Sequence, residues 1–453
     1  MHRMNHAIER LDSARVASAV EAANERGRPL YLIVLATKPC YIKLASLVHA
    51  CVAHGVPFLL IDSGQHYDAD LTGARRELGY EHLVAAAFGI RGSLIERAAQ
   101  LAHGVAELSA CLQASGLRMS AIPVISGDTS TAALFPQYWY FAHGIRSVHV
   151  EAGLRSLAPP GPEHWRALDD NIRAQRACQW LPVPDEPFPE GVDTRLASVV
   201  SGLLLAPVAR NAEQLVREGY PAGCIERVGS LSSDAVKLAQ AAPAGVSIFE
   251  RHPQLADGRW LRVDLHRREN MTPQRVAAVL EGIARLSRDG FQVVLIKTNA
   301  LMGALRQHGL TGLLADVQKR GVVVHELWPS YADVIAFLAS PHCRAIYTDS
   351  GGLQEEAAVL GVPCMTCRFS TDRPETVLDV QANLLVPPLS ATFVHRHVAA
   401  LLSGDADAAW PGLADGARLY GHEVGAEIAR RLAGYEPPDP LAGAQARYAK
   451  EAG

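Results

Sequence analysis

The chain has 453 residues, with 43 Lys and Arg against 47 Asp and Glu for a formal charge of −4, and 49% of its residues are hydrophobic. That length exceeds what one hydrophobic core usually holds, so two domains are expected. The near balance of charge, without a basic or acidic block, argues against a nucleic-acid or membrane-surface partner.

No apolar run is long enough to cross a bilayer. The opening residues 1–27 are charged throughout and predict an amphipathic helix rather than a secretion signal, so a cytoplasmic location is expected. Cys51, Cys111 and Cys224 lie inside apolar segments, the usage of reduced, buried thiols. Cys364 and Cys367 have CxxC spacing but no second pair and no histidines at ligand spacing, so they are read as two residues of one strand, with no metal expected.

In chain order the pattern alternates strand and helix, which predicts parallel sheets covered on both faces. The first strand, Leu30 to Ala36, leads to Lys38 and Lys43, two cations at a strand's carboxyl end, where open α/β sheets bind ligands. A second strand, VPFLLID, runs into Gln65, His66, Tyr67 and Asp68, a polar loop that could equally be a solvated turn. The strands AIPVIS and SVHV then deliver Asp128 and Glu151, and paired acids of this kind are what general acid–base work needs. Equally open is that Asp128 caps the following helix and Glu151 pairs with Arg155.

Residues 157–188 break the rhythm. Rich in proline and briefly helical in spacing, they are read as an excursion of the first domain over the site. Pro189-Glu190 then opens a helix and the strand LLLAP. A second α/β series begins near Val228, and its strand WLRVDL ends in His266-Arg267-Arg268-Glu269-Asn270. Another strand ends in TDSGGLQEEA, residues 348–357, which reads as a phosphate seat. Glycines at a helix mouth let backbone N–H groups approach an anion, and Glu355 or Glu356 is suited to a ribose diol. An ordinary tight turn and helix N-terminus would look the same locally. No GxGxxG follows the first strand, which disfavours an NAD-type oxidoreductase, and no cofactor is expected.

Seven motifs in order, SGQHYD, GDTST, HVEAGLRS, FPE, HRREN, TDSGGLQEEA and TDRPE, resemble the UDP-N-acetylglucosamine 2-epimerase family over nearly the whole chain. The resemblance implies an α/β protein of two Rossmann-like domains in a glycosyltransferase-B arrangement, with the active site in the interdomain cleft. It implies domains at 1–228, carrying the inserted segment, and 229–414, and a final helix in 415–453 returning to the first domain. It also implies a cytoplasmic homodimer that interconverts UDP-GlcNAc and UDP-ManNAc by losing UDP to give 2-acetamidoglucal and adding it back.

Carried over motif by motif, the acid–base carboxylates fall on Asp128, Glu151 and Glu190, and the catalytic histidine on His266. Ser350, Gly351 and Gly352 match the phosphate-contacting turn, Glu356 the ribose ligand and Arg373 a cation of the nucleotide-side loop. Lys38, Lys43, Arg155 and Arg267 complete the expected substrate contacts, and Gln65 and His66 match residues that help hold a second, activating UDP-GlcNAc in some relatives. GDTST resembles the non-hydrolysing branch.

Departures bear on the sugar. The usual GTRPE is here ATKPC, with Lys38 for the arginine and Cys40 for the glutamate. The usual asparagine-arginine after PE is Asp193-Thr194, and GN of the second domain is Gly229-Ser230. Pro162-Glu163 offers a second Pro-Glu for the third carboxylate, but FPE at Glu190 continues into the helix and strand of the family pattern. A glycosyltransferase using the same nucleotide seat, or a UDP-sugar binding protein without catalysis, are the competing readings.

Overall fold

The computed structural model describes residues 7–65, 73–242, 246–328, 330–403 and 410–437. It divides into two compact units: Met1–Leu154 with Phe188–Ala235 and Glu423–Gly453, and Arg155–Pro187 with Val236–His422.

Among the described residues, unit 1 is built on eight strands, β1 (Arg10–Leu11), β2 (Leu30–Leu35), β3 (Phe58–Asp62), β4 (Val84–Ala87), β5 (Ala121–Ser126), β6 (Ser147–Val150), β7 (Ser201–Ala206) and β8 (Ile225–Arg227). Their order is β1-β4-β3-β2-β5-β6-β7-β8, with only β1 antiparallel to its neighbour. Every residue of β2, LYLIVL, is buried, as a strand covered on both faces requires. Counted from β2, the order is that of a doubly wound sheet, 3-2-1-4-5-6, whose switch point lies between β2 and β5.

The opening helix α1 is shorter than the sequence suggests, Ser13–Arg26, and is capped by Asp12. Helices α2 (Lys38–His54), α3 (Ser130–His143) and α4 (Glu190–Val199) follow β2, β5 and the Pro189 turn. The final helix, Val424–Gly434, packs on α2. Gly425 permits that approach: a Cβ there would lie 2.6 Å from the Ser46 carbonyl carbon, and its N–H donates to Asp234 at 2.8 Å.

Unit 2 repeats the winding with β9 (Trp260–Asp264), β10 (Gln292–Lys297), β11 (Val323–Glu326), β12 (Cys343–Thr348), β13 (Cys364–Thr366) and β14 (Asn383–Leu385). All neighbours are parallel in the order β11-β10-β9-β12-β13-β14, again 3-2-1-4-5-6, with a switch point between β9 and β12. Apolar clusters fill both of its faces, one around Leu261, Val263 and Ile283, the other around Val294, Ile346 and Phe337. Cys364 lies in β13, Cys367 follows it, and both are buried free thiols; Cys51 is buried too, while Cys111 and Cys224 are half-buried.

The segment expected as an excursion of the first domain belongs instead to unit 2. Its helix, Leu168–Ala177, lies against the edge strand β14. Gln175 accepts from the Leu385 N–H at 2.7 Å and donates to the Leu385 carbonyl at 2.9 Å, and Asn171 donates to the same carbonyl at 3.2 Å. Two buried amides thus stand in for a missing ladder partner, one way a fold protects an open sheet edge. Trp180 packs with Val377 and Leu385, and Leu157 and Thr371 exchange two backbone hydrogen bonds at 2.9 Å. The boundary likewise falls after Ala235 rather than Val228, and Gly416–Tyr420 stays with unit 2 while only the final helix joins unit 1.

Candidate functional site

In each unit the chemistry-bearing residues sit at the carboxyl ends of strands at or next to the switch point, where such sheets bind ligands. In unit 1 these ends carry Lys38 after β2, Asp128 after β5 and Glu151 after β6. Lys38 is the first residue of α2, so its charge adds to the positive potential of the helix's unpaired amides. Such a placement favours an anion.

Glu151 is buried and adopts φ +65°, a left-handed conformation that non-glycine residues rarely hold without a functional reason. Its Oε1 lies 2.5 Å from Nζ of the buried Lys43, and Ser126 Oγ donates to its Oε2 at 3.4 Å. Glu151 is therefore met by Lys43, where the sequence had left open a pairing with Arg155. Asp128 does not cap α3 either; Thr129 does, accepting from the Ala132 N–H at 3.1 Å, and Asp128 stands half-buried in the turn after Gly127. Gly127, at φ +74°, makes that turn.

Cys40 fills the space beside this cluster, 3.9 Å from the Ser126 carbonyl. Burial pushes its thiol up, against Thr37 hydrogen bonds that lower it, and Glu151 and Asp128 add to the rise. Glu190 is the first residue of α4, which packs along α3. Glu163, the rival for the third carboxylate, is well exposed in a short turn of unit 2 beside His164. One turn on from Glu190, Asp193 is buried and accepts from Ser130 Oγ at 2.7 Å. Burial pushes its carboxyl up to about 6, with Asp128 adding to the effect against the Ser130 hydrogen bond. The sequence marked this position only as a lost cation. Gln65 accepts from Thr131 Oγ1 at 2.8 Å, and His66 lies outside the described residues.

Unit 2 gathers His266, Arg267, Ser350, Gly351, Gly352 and Glu356 at the ends of β9 and β12. What organises them is Asp349, which the sequence did not single out. Fully buried, it accepts from the backbone N–H groups of His266 and Arg267 at 2.9 and 3.1 Å and from Asn270 Nδ2 at 2.9 Å. His266 Nδ1 lies 3.1 Å from it, which fixes the ring while leaving 43% of the side chain exposed. Burial opposes charge on this imidazole, yet the Asp349 carboxylate overcomes that and raises its pKa. Burial likewise pushes the Asp349 carboxyl up, and His266 and Asn270 bring it below the usual range.

Asp264, His266 and Asp349 bring ligand-type atoms within 4.8 Å of one another. Their carboxylates already accept from protein donors, Asp264 from Thr348 Oγ1 and Arg262, so the trio is built as an ion-pair network.

Helix α5 (Gly351–Leu360) begins at this network, with Ser350 as its cap accepting from the Leu353 N–H at 3.3 Å. The amides of Gly351 and Gly352 belong to its first turn and have no carbonyl partner within the helix. A Cβ at Gly351 would lie 3.2 Å from Asp372 Oδ2 and 3.7 Å from Arg267 Nη2. Arg368, Arg373 and Arg267 surround Asp372; burial raises its carboxyl, and these cations, Arg373 first, hold it far below the ordinary range. Arg373 is itself buried, paired with Glu355 as well as Asp372. Of the two helix glutamates, Glu355 is thus engaged in the ion-pair network, whereas Glu356 accepts from Tyr331 OH at 3.1 Å. Arg155 is buried at the start of the segment that unit 2 takes from the first half of the chain.

Two Rossmann-like sheets, one ending in a glycine-opened helix N-terminus beside an ion-pair network and the other in a lysine-bound carboxylate, define an α/β protein. The family model for UDP-N-acetylglucosamine 2-epimerase matches residues 184–429. The chain is 27% identical over 366 residues to the UDP-N-acetylglucosamine 2-epimerase of Methanocaldococcus jannaschii, covering 78% of this chain and 87% of the relative. It is 25% identical over 367 residues to the UDP-2,3-diacetamido-2,3-dideoxy-D-glucuronate 2-epimerase of Pseudomonas aeruginosa, with 78% and 87% covered. The crystal structure of the M. jannaschii epimerase in complex with UDP-GlcNAc and UDP superposes with a TM-score of 0.69 at 24% identity, over 90% of this chain and 100% of that one. The chain belongs to the UDP-N-acetylglucosamine 2-epimerase family. Among the described residues no helix is long and apolar enough to cross a membrane.

Proposed function

We propose that this chain epimerises carbon 2 of a UDP-N-acetylhexosamine, UDP-GlcNAc to UDP-ManNAc or a close analogue, by eliminating UDP and adding it back without hydrolysis. The observation that carries this reading is Glu151, buried, left-handed and bound by Lys43, beside Asp128 at the end of the neighbouring strand. The relatives act on UDP-GlcNAc and on UDP-2,3-diacetamido-2,3-dideoxy-D-glucuronate, as their names state.

Carbon 2 has no adjacent carbonyl to acidify its proton, so the proton leaves only as the bond from carbon 1 to UDP breaks. The leaving diphosphate needs positive charge. His266, raised in pKa by Asp349, supplies an imidazolium, while Arg267 and the first-turn amides of Gly351 and Gly352 supply donors aimed at an anion. Glu356, held by Tyr331, takes the ribose hydroxyls. Arg373 and Asp372 hold the loop beside this seat, so Arg373 acts on phosphate through the network it stabilises. Asp128, Glu151 and Glu190 move the proton, and Lys43, 2.5 Å from Glu151, holds that carboxyl in position. Lys38 and Arg155 complete the sugar-nucleotide contacts.

The same reading carries a homodimer, supported by exposed apolar residues on two packed helices, Phe141 on α3 and Val192, Leu196 and Val199 on α4. Gln65 and His66 are assigned to a second, activating UDP-GlcNAc. A cytoplasmic location accords with the free, buried thiols.

Proton NMR of UDP-GlcNAc with the protein in deuterated water tests the reading. Loss of the carbon-2 proton signal and growth of a UDP-ManNAc anomeric signal is the expected result. Absence of deuterium from UDP-GlcNAc, UDP-ManNAc and the 2,3-diacetamido analogue would sink it. Sugar consumed only when an acceptor is added would point to a glycosyltransferase.

A further inference from the structure

We propose that Asp264 is a positioning residue of the phosphate seat in unit 2: through Thr348 it commits the Ser350 N–H to the protein, so that the N–H groups of Gly351 and Gly352 are the pair presented to a diphosphate. The proposal deepens the nucleotide-binding part of the epimerase reading and rests on it.

Asp264 is the last residue of β9 and Thr348 the last of β12, and the two stand opposite one another in register. Thr348 Oγ1 donates to Asp264 Oδ1 at 2.5 Å and accepts from the Ser350 N–H at 3.0 Å. A carboxylate oxygen accepts and an amide N–H only donates, so the hydroxyl between them has a single orientation. The other Asp264 oxygen is taken by Nη1 of Arg262, two residues back on the same face of β9. The Arg262 guanidinium in turn lies over the Trp328 ring, 5.1 Å from its centre. Arg262, Asp264, Thr348 and Trp328 are all buried. With both oxygens engaged inside the protein, Asp264 acts on the seat through Thr348 rather than by touching a ligand.

The opening amides of α5 divide into two pairs. The Ser350 N–H goes to Thr348 Oγ1 and the Leu353 N–H to Ser350 Oγ at 3.3 Å. Between them, the N–H groups of Gly351 and Gly352 meet no acceptor among the described residues. The protein thus takes the outer two amides for itself and leaves the inner two. A hydroxyl bonded to the amide two positions on is a turn in its own right, and it fixes where the chain leaves β12 and enters α5. Gln354 holds the same corner from its other side: its Nε2 donates to the Ser350 carbonyl at 3.1 Å, and its Oε1 accepts from Thr371 Oγ1 at 2.6 Å.

The consequence for anion binding is specific. Amides at a helix mouth hold a phosphate only as well as they converge on it, because a hydrogen bond weakens steeply off line. Without Asp264 the Thr348 hydroxyl would be free to turn, its lone pair would leave the Ser350 N–H, and the entry angle of α5 would no longer be fixed. Arg262 has a second part in this. By pairing with Asp264 it keeps a carboxylate so close to the seat from opposing the charge of a diphosphate.

UDP and uridine affinities, measured by calorimetry on Thr348→Val, Thr348→Ser and Asp264→Asn, test the proposal together with the Ser350 amide proton of ¹⁵N-labelled protein without ligand. Thr348→Val keeps the shape and removes the hydroxyl; it should weaken UDP by about tenfold or more and leave uridine within about twofold. Thr348→Ser, which restores the hydroxyl, should regain most of that loss. Asp264→Asn should resemble Thr348→Val although Thr348 is intact. Arg262 draws the oxygen of the new side-chain amide, whose NH₂ then faces Thr348 Oγ1, a donor where an acceptor stood. In Thr348→Val and Asp264→Asn the Ser350 amide proton should move upfield as its hydrogen bond weakens. UDP and uridine weakening together, a Thr348→Val protein that binds UDP within about threefold of the unmodified one, no recovery in Thr348→Ser, or a Ser350 amide that stays in place overturns the proposal. Should Asp264→Asn fold poorly, the two Thr348 variants still decide. Absence of UDP binding in the unmodified protein would instead defeat the nucleotide reading, with the Ser350 amide still deciding the Thr348 hydrogen bond.

Discussion

The strand ends of the two units handle charge in opposite ways. In unit 2 buried ions are closed upon one another: Asp372 among three arginines, Glu355 with Arg373, Asp349 with His266, Asn270 and two backbone amides. In unit 1 the acids are held singly: Glu151 by Lys43 in a left-handed backbone, and the buried Asp193, raised to about 6, by the Ser130 hydroxyl. A satisfied network keeps its shape and suits a seat that must bind the same anion repeatedly. A carboxylate that is awkward to ionise, as Asp193 is, suits the neighbourhood of a site that must take and return a proton.

The contrast can be broken most sharply at His266. His266→Ala should lower carbon-2 exchange by about 10²- to 10⁴-fold, because a charged donor to the leaving group is lost. Its pKa is raised by Asp349, so activity that needs the imidazolium persists below the raised value and falls as pH climbs through it. Asp349→Asn should therefore draw the alkaline limb of the rate–pH profile to lower pH, and an unmoved limb would separate His266 from that role.

Glu355→Gln comes next. Taking away one of the two carboxylates that hold the buried Arg373, while Asp372 remains, should destabilise the protein by about 1.5–3 kcal/mol, read from denaturant midpoints. A loss under 1 kcal/mol, on the order of an exposed pair, would mean that the network is not the closed one described.

Asp193→Asn should do the reverse. Because the folded-state value of Asp193 is raised, the folded protein binds a proton more tightly than the unfolded chain, and stability falls as pH rises from about 4 to about 6. Removing the carboxylate should then stabilise the protein at pH 8 by up to about 3 kcal/mol and leave it almost unchanged near pH 4. Glu375, raised to about 7 by burial despite Arg373 and Tyr420, is the matching exception inside unit 2. The smallest effect belongs to the strap: Gln175→Ala removes the acceptor of the Leu385 N–H and one of the two side-chain donors to its carbonyl, Asn171 keeping the other, and should cost about 1–3 kcal/mol with little change in exchange.

The sheets were legible because their central strands are buried on both faces and so appear as continuous apolar runs, LYLIVL and AIPVIS among them. The site loops were legible because glycine and charge cluster where those runs stop. The allegiance of residues 155–187 was not, since it rests on Gln175 and Asn171 reaching an edge strand more than 200 positions away, for which no local pattern exists. Asp349 was passed over for the glycines that follow it, although its burial at a strand end is what orients His266. Glu355 and Glu356 are indistinguishable in sequence; their roles separate only because adjacent helical positions face different ways, one to Arg373 and the other to Tyr331. Asp193 was read as a missing cation because burial, which gives a carboxylate its altered proton affinity, is invisible in a motif.

The division of labour between the units is tested most directly by Asp128→Asn, with carbon-2 deuterium incorporation and UDP affinity measured on the same preparation. The account predicts that exchange falls by about 10²-fold or more while the UDP dissociation constant stays within about threefold of the unmodified protein. Exchange at the unmodified rate, or loss of UDP binding in step with exchange, would contradict it.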